Sequence, residues 1–191
     1  MKRQHLHTRT IEFNAYLRGD GMFDIEAHVR DVRKYDSVVL EHGLLPAGNP
    51  VHDMTITATI DEQLTVRAIT SRMLSTPFAH CREIEDSLQP IIGARMSRGW
   101  RRAVSERIGN TGSCTHLREL LVNMATAALQ TVPIWHAQQR FQAGKAATPG
   151  GTRPNYLGQC YGWRLDSPVV LTHFPQFFQP QQPASPAPDK E

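Results

Sequence analysis

Cysteine and histidine carry the versatile side-chain chemistry of this chain, and two of its three cysteines fall where helices are expected to start. Cys114 lies in Gly112-Ser113-Cys114-Thr115-His116, directly ahead of a long apolar helical pattern, with Ser113 a suitable N-cap. As the first helical residue, the Cys114 thiol would feel unpaired backbone N–H groups and the positive end of the helix dipole, which lower a thiol pKa. His116, two residues on, could serve it as a base. Helical spacing puts Cys114 above Leu117 and Leu121, facing inward. Cys81 follows Pro77-Phe78-Ala79-His80 at an expected strand-to-helix passage, and His52-Asp53 opens an expected strand after a Pro/Gly-rich loop. If both helices begin at one edge of a sheet, His52, Asp53, Cys81 and Cys114 converge, a thiolate, imidazole and carboxylate set suited to zinc or iron. Each residue also has a plainer reading. A buried cysteine is often a small apolar residue, and a loop aspartate often closes its own turn.

The elements that must position these groups follow from periodicity. Residues 8–32 alternate Ile11, Phe13, Ala15, Leu17 and then Phe23, Ile25, Ala27, Val29 around Gly19-Asp20-Gly21, which predicts a β-hairpin. Gly43, Pro46, Gly48 and Pro50 mark a loop, with a short strand near Ser37–Leu40. A second hairpin is expected from MTITATI and LTVRAITSRML across Asp61-Glu62-Gln63. From Cys81 the period turns helical. Ile84, Leu88 and Ile91 share a stripe that Pro90 should bend; Trp100, Val104 and Ile108 share another that stops at Gly109; Leu117, Leu120, Leu121, Met124 and Ala128 form the clearest one. The expected fold class is α+β, an antiparallel sheet of about four strands packed by three or more C-terminal helices.

Past Pro133 the helical pattern fades towards Ala143 and a Gly/Thr/Pro linker, ATPGGTRP. GWRLDSPVVLTHF reads as strand-like, and the Pro/Gln-rich residues 176–191 as a disordered tail behind a single domain over 1–175. His5, His7 and Arg9 alternate on one face of the first strand, where they line a pocket or form a solvated arm. Arg95, Arg98 and Arg102 would share a face on the middle helix, either solvated or holding an anion. Cys160, beside Tyr161 and Trp163, reads as packing.

Bulk properties exclude several classes. Net charge is +3, from 21 basic and 18 acidic residues, and aromatic residues are sparse among the arginines, so nucleic acid is not an expected partner. No stretch approaches the roughly 18 apolar residues of a membrane span. Three widely spaced cysteines without a CxxC pair argue for a reducing compartment and a cytoplasmic chain.

The runs GNPVHDMTITATID, PFAHC, TGSCTHLRELL and ATAALQT, with Asp20–Ala27 earlier, closely resemble an uncharacterised bacterial domain-of-unknown-function family over roughly residues 5–175. Its hallmarks are an HDM strand and a Gly-Cys-Thr-His-Leu element; Ser113 stands here where the family has glycine. The resemblance implies a setting in bacteria that degrade aromatic or steroid compounds. A fainter similarity is to iron–sulfur scaffold proteins of the IscU/NifU type, whose Asp and Cys order Asp53, Cys81 and Cys114 match, although Val51 stands in place of the scaffold's first cysteine. It implies an IscU-like core, and function must still be argued from the site.

Three functions remain open from sequence. The first is a metal-binding protein, extending to a metal-dependent enzyme of aromatic or steroid catabolism acting on a small-molecule substrate, with zinc or iron at His52, Asp53, Cys81 and Cys114. The second is a non-enzymatic accessory or ligand-binding module that could be a homodimer. The third is a metal-free thiol catalyst using Cys114 and His116.

Overall fold

The computed structural model describes residues 1–145, 151, 153, 154 and 156–180. Six strands, β1 (His7–Leu17), β2 (Phe23–Arg33), β3 (Ser37–Val39), β4 (Gly43–Leu45), β5 (Pro50–Ile60) and β6 (Val66–Ser75), precede a 3-10 segment at Ala79–Ile91. Helices α1 (Trp100–Ile108), α2 (Thr115–Gln142) and α3 (Pro168–His173) and a short 3-10 turn at Pro175–Phe177 follow. The α+β expectation and both hairpins hold. A four-stranded antiparallel sheet runs in the order β1-β2-β5-β6, and β3 and β4 pair separately within the expected loop.

Alternation decides which face is covered. On β2 and β5, Phe23, Ile25, Ala27, Val29, Met54, Ile56, Ala58 and Ile60 are buried against the helices, while the intervening residues face the other side. Leu117, Leu120, Leu121, Met124 and Ala128 of α2 complete this core with Trp100, Val104 and Ile108 of α1. Each large side chain so buried contributes about 1.5–3 kcal/mol. The Trp100 indole donates to the Leu121 carbonyl at 2.9 Å, so its one polar atom is satisfied. Gly109 closes α1 at φ +70, a conformation that suits glycine.

The two edges of the sheet differ. β6 is covered by the following chain: Val66 exchanges backbone bonds with Gly93 and Ala94, the Met73 amide donates to Glu85 and Gln89 donates to the Ile69 carbonyl. These contacts, with Pro90 and a non-helical Ile84, explain why residues 79–91 form a 3-10 run where a helix was predicted. β1 pairs only with β2 among the described residues, and most of its side chains are exposed.

The chain groups into two compact units, Met1–Trp135 and a second from His136 onward. In the second unit the strand-like reading of 162–174 gives way to α3. Ser167 accepts a bond from the Val170 amide and Pro168 takes the first turn, a helix-start pairing stronger than the apolar run. Tyr156, Trp163 and Phe174 cluster there, and Cys160 is exposed rather than packed. Most of the ATPGGTRP linker and residues 181–191 of the expected tail lie outside the described residues. No helix among them is long and apolar enough to cross a membrane. The expected arginine face is not formed, because α1 starts only at Trp100. Arg95 instead reaches the Gln63 carbonyl and Arg102 pairs with Glu106.

The β5–β6 turn is built on Asp61, whose carboxylate accepts from the Gln63 and Thr65 amides and from Arg67. Burial alone would raise its pKa, but these donors outweigh it and hold the carboxyl below its usual range. The contribution is therefore complete above the unfolded value and lost as pH falls through the lower folded one. Asp61→Ala is expected to cost about 1–3 kcal/mol in urea unfolding at pH 7. The gap to wild type should narrow below about pH 4; a gap independent of pH would contradict this assignment.

Candidate metal centre

The apolar faces of β2 and β5 end in polar residues of the same parity. After Phe23, Ile25, Ala27 and Val29 comes Asp31; ahead of Met54, Ile56 and Ala58 stands His52. Register aligns them in one row across three strands, Arg9 opposite Asp31 on β1 and His52 opposite Asp31 on β5. The β2–β5 ladder shifts register directly after this row, as bulges beside functional sites often do. Asp31 is 4% exposed, and Arg9 Nη1 lies 3.3 Å and His52 Nδ1 3.2 Å from its Oδ2. His7 Nε2 stands 3.1 Å from Oδ1, yet that buried oxygen accepts no aligned hydrogen bond.

α2 lowers its first turn onto this row. His116 Nε2 lies 3.9 Å from Asp31 Oδ2, and the His116 and His52 rings stack with centroids 4.0 Å apart. Cys114 precedes the helix, its carbonyl accepting the first intrahelical bond from Arg118, so it takes the cap position expected of Ser113. Ser113 instead accepts from the Ser87 hydroxyl at 2.7 Å, tying the loop to the 3-10 segment. The turn tolerates no side chain at Gly112, where a Cβ would collide with the Ile108 carbonyl oxygen.

Electrostatics follow from this packing. Burial and the neighbouring His116 push His52 down to about 4 against the pull of Asp31, so His52 is neutral near pH 7 with a lone pair for a ligand. Burial would raise the Cys114 thiol, but the His116 side chain and the His116 and Leu117 amides outweigh it and bring it below its ordinary value. Sγ sits 3.4 Å from His116 Nδ1. Cys81 moves the other way, raised by burial and then by the nearby Cys114 charge.

Of the residues singled out in the sequence, His52, Cys114 and His116 come together and Cys81 borders them. Asp53 does not join them. One residue from His52 on a period-two strand, it points to the opposite face and pairs there with His28 at 2.7 Å and Arg30 at 3.5 Å. Asp31 takes its place. The donor atoms of Asp31, His52 and His116 all lie within 4.8 Å of one another, the spacing of a metal-ligand group. Asp31 was legible as the polar residue continuing the Phe23–Val29 alternation; His7 and Arg9 stay exposed on β1, as a solvated arm would, yet both reach its carboxylate.

In metal-free protein, iodoacetamide at pH 7 is expected to alkylate Cys114 faster than Cys81. His116→Ala should slow Cys114 by roughly threefold to tenfold, since rate follows thiolate fraction. Equal rates at the two thiols, read by peptide mass spectrometry, would contradict the electrostatics described.

No curated protein and no solved structure matches the chain, so nothing among them supports the likeness to iron–sulfur scaffolds. The profile of one family, described as protein of unknown function (DUF2889), matches residues 7–130, which span β1 to β6, α1 and the site-bearing part of α2. The chain belongs to the DUF2889 family.

Proposed function

We propose that this is a metal-binding protein whose ion is held by Asp31, His52 and His116, and that the centre performs metal-dependent chemistry on a small-molecule substrate. The observation that carries it is the convergence of these two imidazoles and a buried carboxylate within 4.8 Å, with Asp31 Oδ1 accepting no hydrogen bond. The donor set fits. Two nitrogens and one carboxylate oxygen suit zinc or iron(II) and leave coordination positions open for water or substrate. The Asp31 and Glu119 carboxylates outnumber the Arg9 guanidinium that pairs with both, a balance that favours a cation. When bound, such an ion polarises a carbonyl or activates water.

The protein groups have distinct work. Asp31 supplies charge and orients His52. His116 points Nε2 towards Asp31 and Nδ1 towards Cys114, so the thiol fixes the ring as an outer partner of a ligand does. Cys81 lies further out, and Asp53 has no part in the centre.

A second reading is favoured by the 3.4 Å contact between Cys114 Sγ and His116 Nδ1, with Asp31 behind the ring. That is a nucleophile, base and orienting acid in series for metal-free thiol chemistry. Metal content separates the two. After reconstitution with zinc or with iron(II) under reducing conditions, the wild type is expected to retain about one equivalent by mass spectrometry. Asp31→Ala, His52→Ala and His116→Ala should lose it, Asp53→Ala should keep it, and Cys114→Ala should weaken affinity about 10–100-fold. A wild type without bound metal would leave the thiol reading.

A further inference from the structure

β1 and α2 both start at the polar row and run away from it side by side. Arg9 of β1 and Glu119 of α2 meet at 3.0 Å beside the Asp31 cluster. Beyond that ion pair the two elements separate around a groove of about 770 Å³. Ile11, Phe13 and Ala15, which continue the His7–Arg9 face of β1, line it with Ala127 of α2, and Asn14, Asn123, Thr126, Gln130 and Thr131 add amide and hydroxyl groups. Asn123 lies one turn beyond Glu119 and donates to its carbonyl, so the lining starts where the ion pair ends. None of the groove's lining residues is charged. All of them belong to the first compact unit.

The groove lies next to the site along both elements. From Arg9 to Ala15 a strand advances about 20 Å. From Glu119 to Thr131 a helix advances about 18 Å. The two walls therefore keep pace from the Arg9–Glu119 pair to the far end of the groove. The volume falls in the range of small-molecule sites, about 300–1,000 Å³, and an apolar floor with a few amide and hydroxyl groups is their usual lining. Phe13 and Ala15 are only partly buried and Ile11 is 42% exposed, although all three sit on the core-facing side of the strand.

We infer that the β1–α2 groove holds the body of the substrate, an elongated, uncharged and mainly apolar small molecule whose polar end reaches the Asp31–His52–His116 cluster past the Arg9–Glu119 pair. Lack of charge follows from the lining, since a charged body would meet no counter-ion there. Elongation follows from the two walls. The Arg9–Glu119 pair is partly exposed on both sides, and surface pairs of this kind part at little cost, so it can yield to an arriving polar end. The inference rests on the metal-centre reading for what happens at the cluster; occupation of the groove stands apart from it.

The test uses the full chain and the uncharged fluorophore prodan, displaced by decan-1-ol, with metal content and sedimentation velocity read on the same samples. The expected result is saturable one-site binding reversed by decan-1-ol. Ala127→Trp and Ala15→Trp, one from each wall, should weaken it about tenfold or more. Amide shifts on adding decan-1-ol to wild type should concentrate at residues 11–15 and 123–131, a measurement that needs no variant to fold. His52→Ala should lose metal and keep probe binding, so failure of the centre and failure of the groove read out separately. Non-saturable binding, shifts elsewhere, or binding unchanged in two folded Trp variants would overturn the inference. So would a dimer that excludes the probe, which would assign the face to a second copy pairing along β1.

Discussion

Removing a carboxylate from water costs several kcal/mol unless charge and hydrogen bonds replace the solvent. Asp31 is 4% exposed at the end of an otherwise apolar strand face, and the chain meets that cost with Arg9, His7, His52 and His116 around one side chain. This arrangement constrains much else. Three strands must hold a common register so that Arg9, Asp31 and His52 share a row, and α2 must begin directly above it. The core beneath, running from Phe23 to Met54 and up into Leu117 and Leu121, is the rigid base that keeps the polar groups from drifting apart.

The start of α2 shows how local and tertiary demands combine. Gly112 is required because the turn passes against the Ile108 carbonyl. Ser113 is drawn into a bond with Ser87, which leaves Cys114 to cap the helix. The sulfur then accepts backbone N–H groups that would otherwise be orphaned, and those same donors lower its pKa. Capping and reactivity are thus one feature. Cys81, carried by a 3-10 segment that covers the β6 edge, also has backbone donors, but burial and the nearby Cys114 charge outweigh them and raise its thiol.

Much of this was legible from residue order. The hairpins were, because period-two alternation split by a short polar turn demands little tertiary help. The α2 stripe was too, because its apolar residues recur over several turns. His52, Cys114 and His116 could be singled out by type and by their place at element starts. The pairing of Asp53 with His52 failed for a simple reason: adjacent residues on a strand face opposite ways, and only register across β2 reveals that Asp31 is the carboxylate on the right side. The partner of a strand residue is decided by another strand, which a linear reading does not contain. The 3-10 segment and α3 were hidden similarly, one because its apolar residues answer to the β6 edge, the other because two capping residues outweighed a β-branched run.

The site and the groove share one geometry, since the two elements that flank the cluster also form the walls leading to it. The most direct measurement of the account is zinc K-edge X-ray absorption on the reconstituted protein. The account predicts a first shell of light atoms only at about 2.0–2.1 Å, with the outer-shell scattering of imidazole rings. A shell dominated by sulfur at about 2.3 Å would contradict it and move the ion to Cys81 and Cys114.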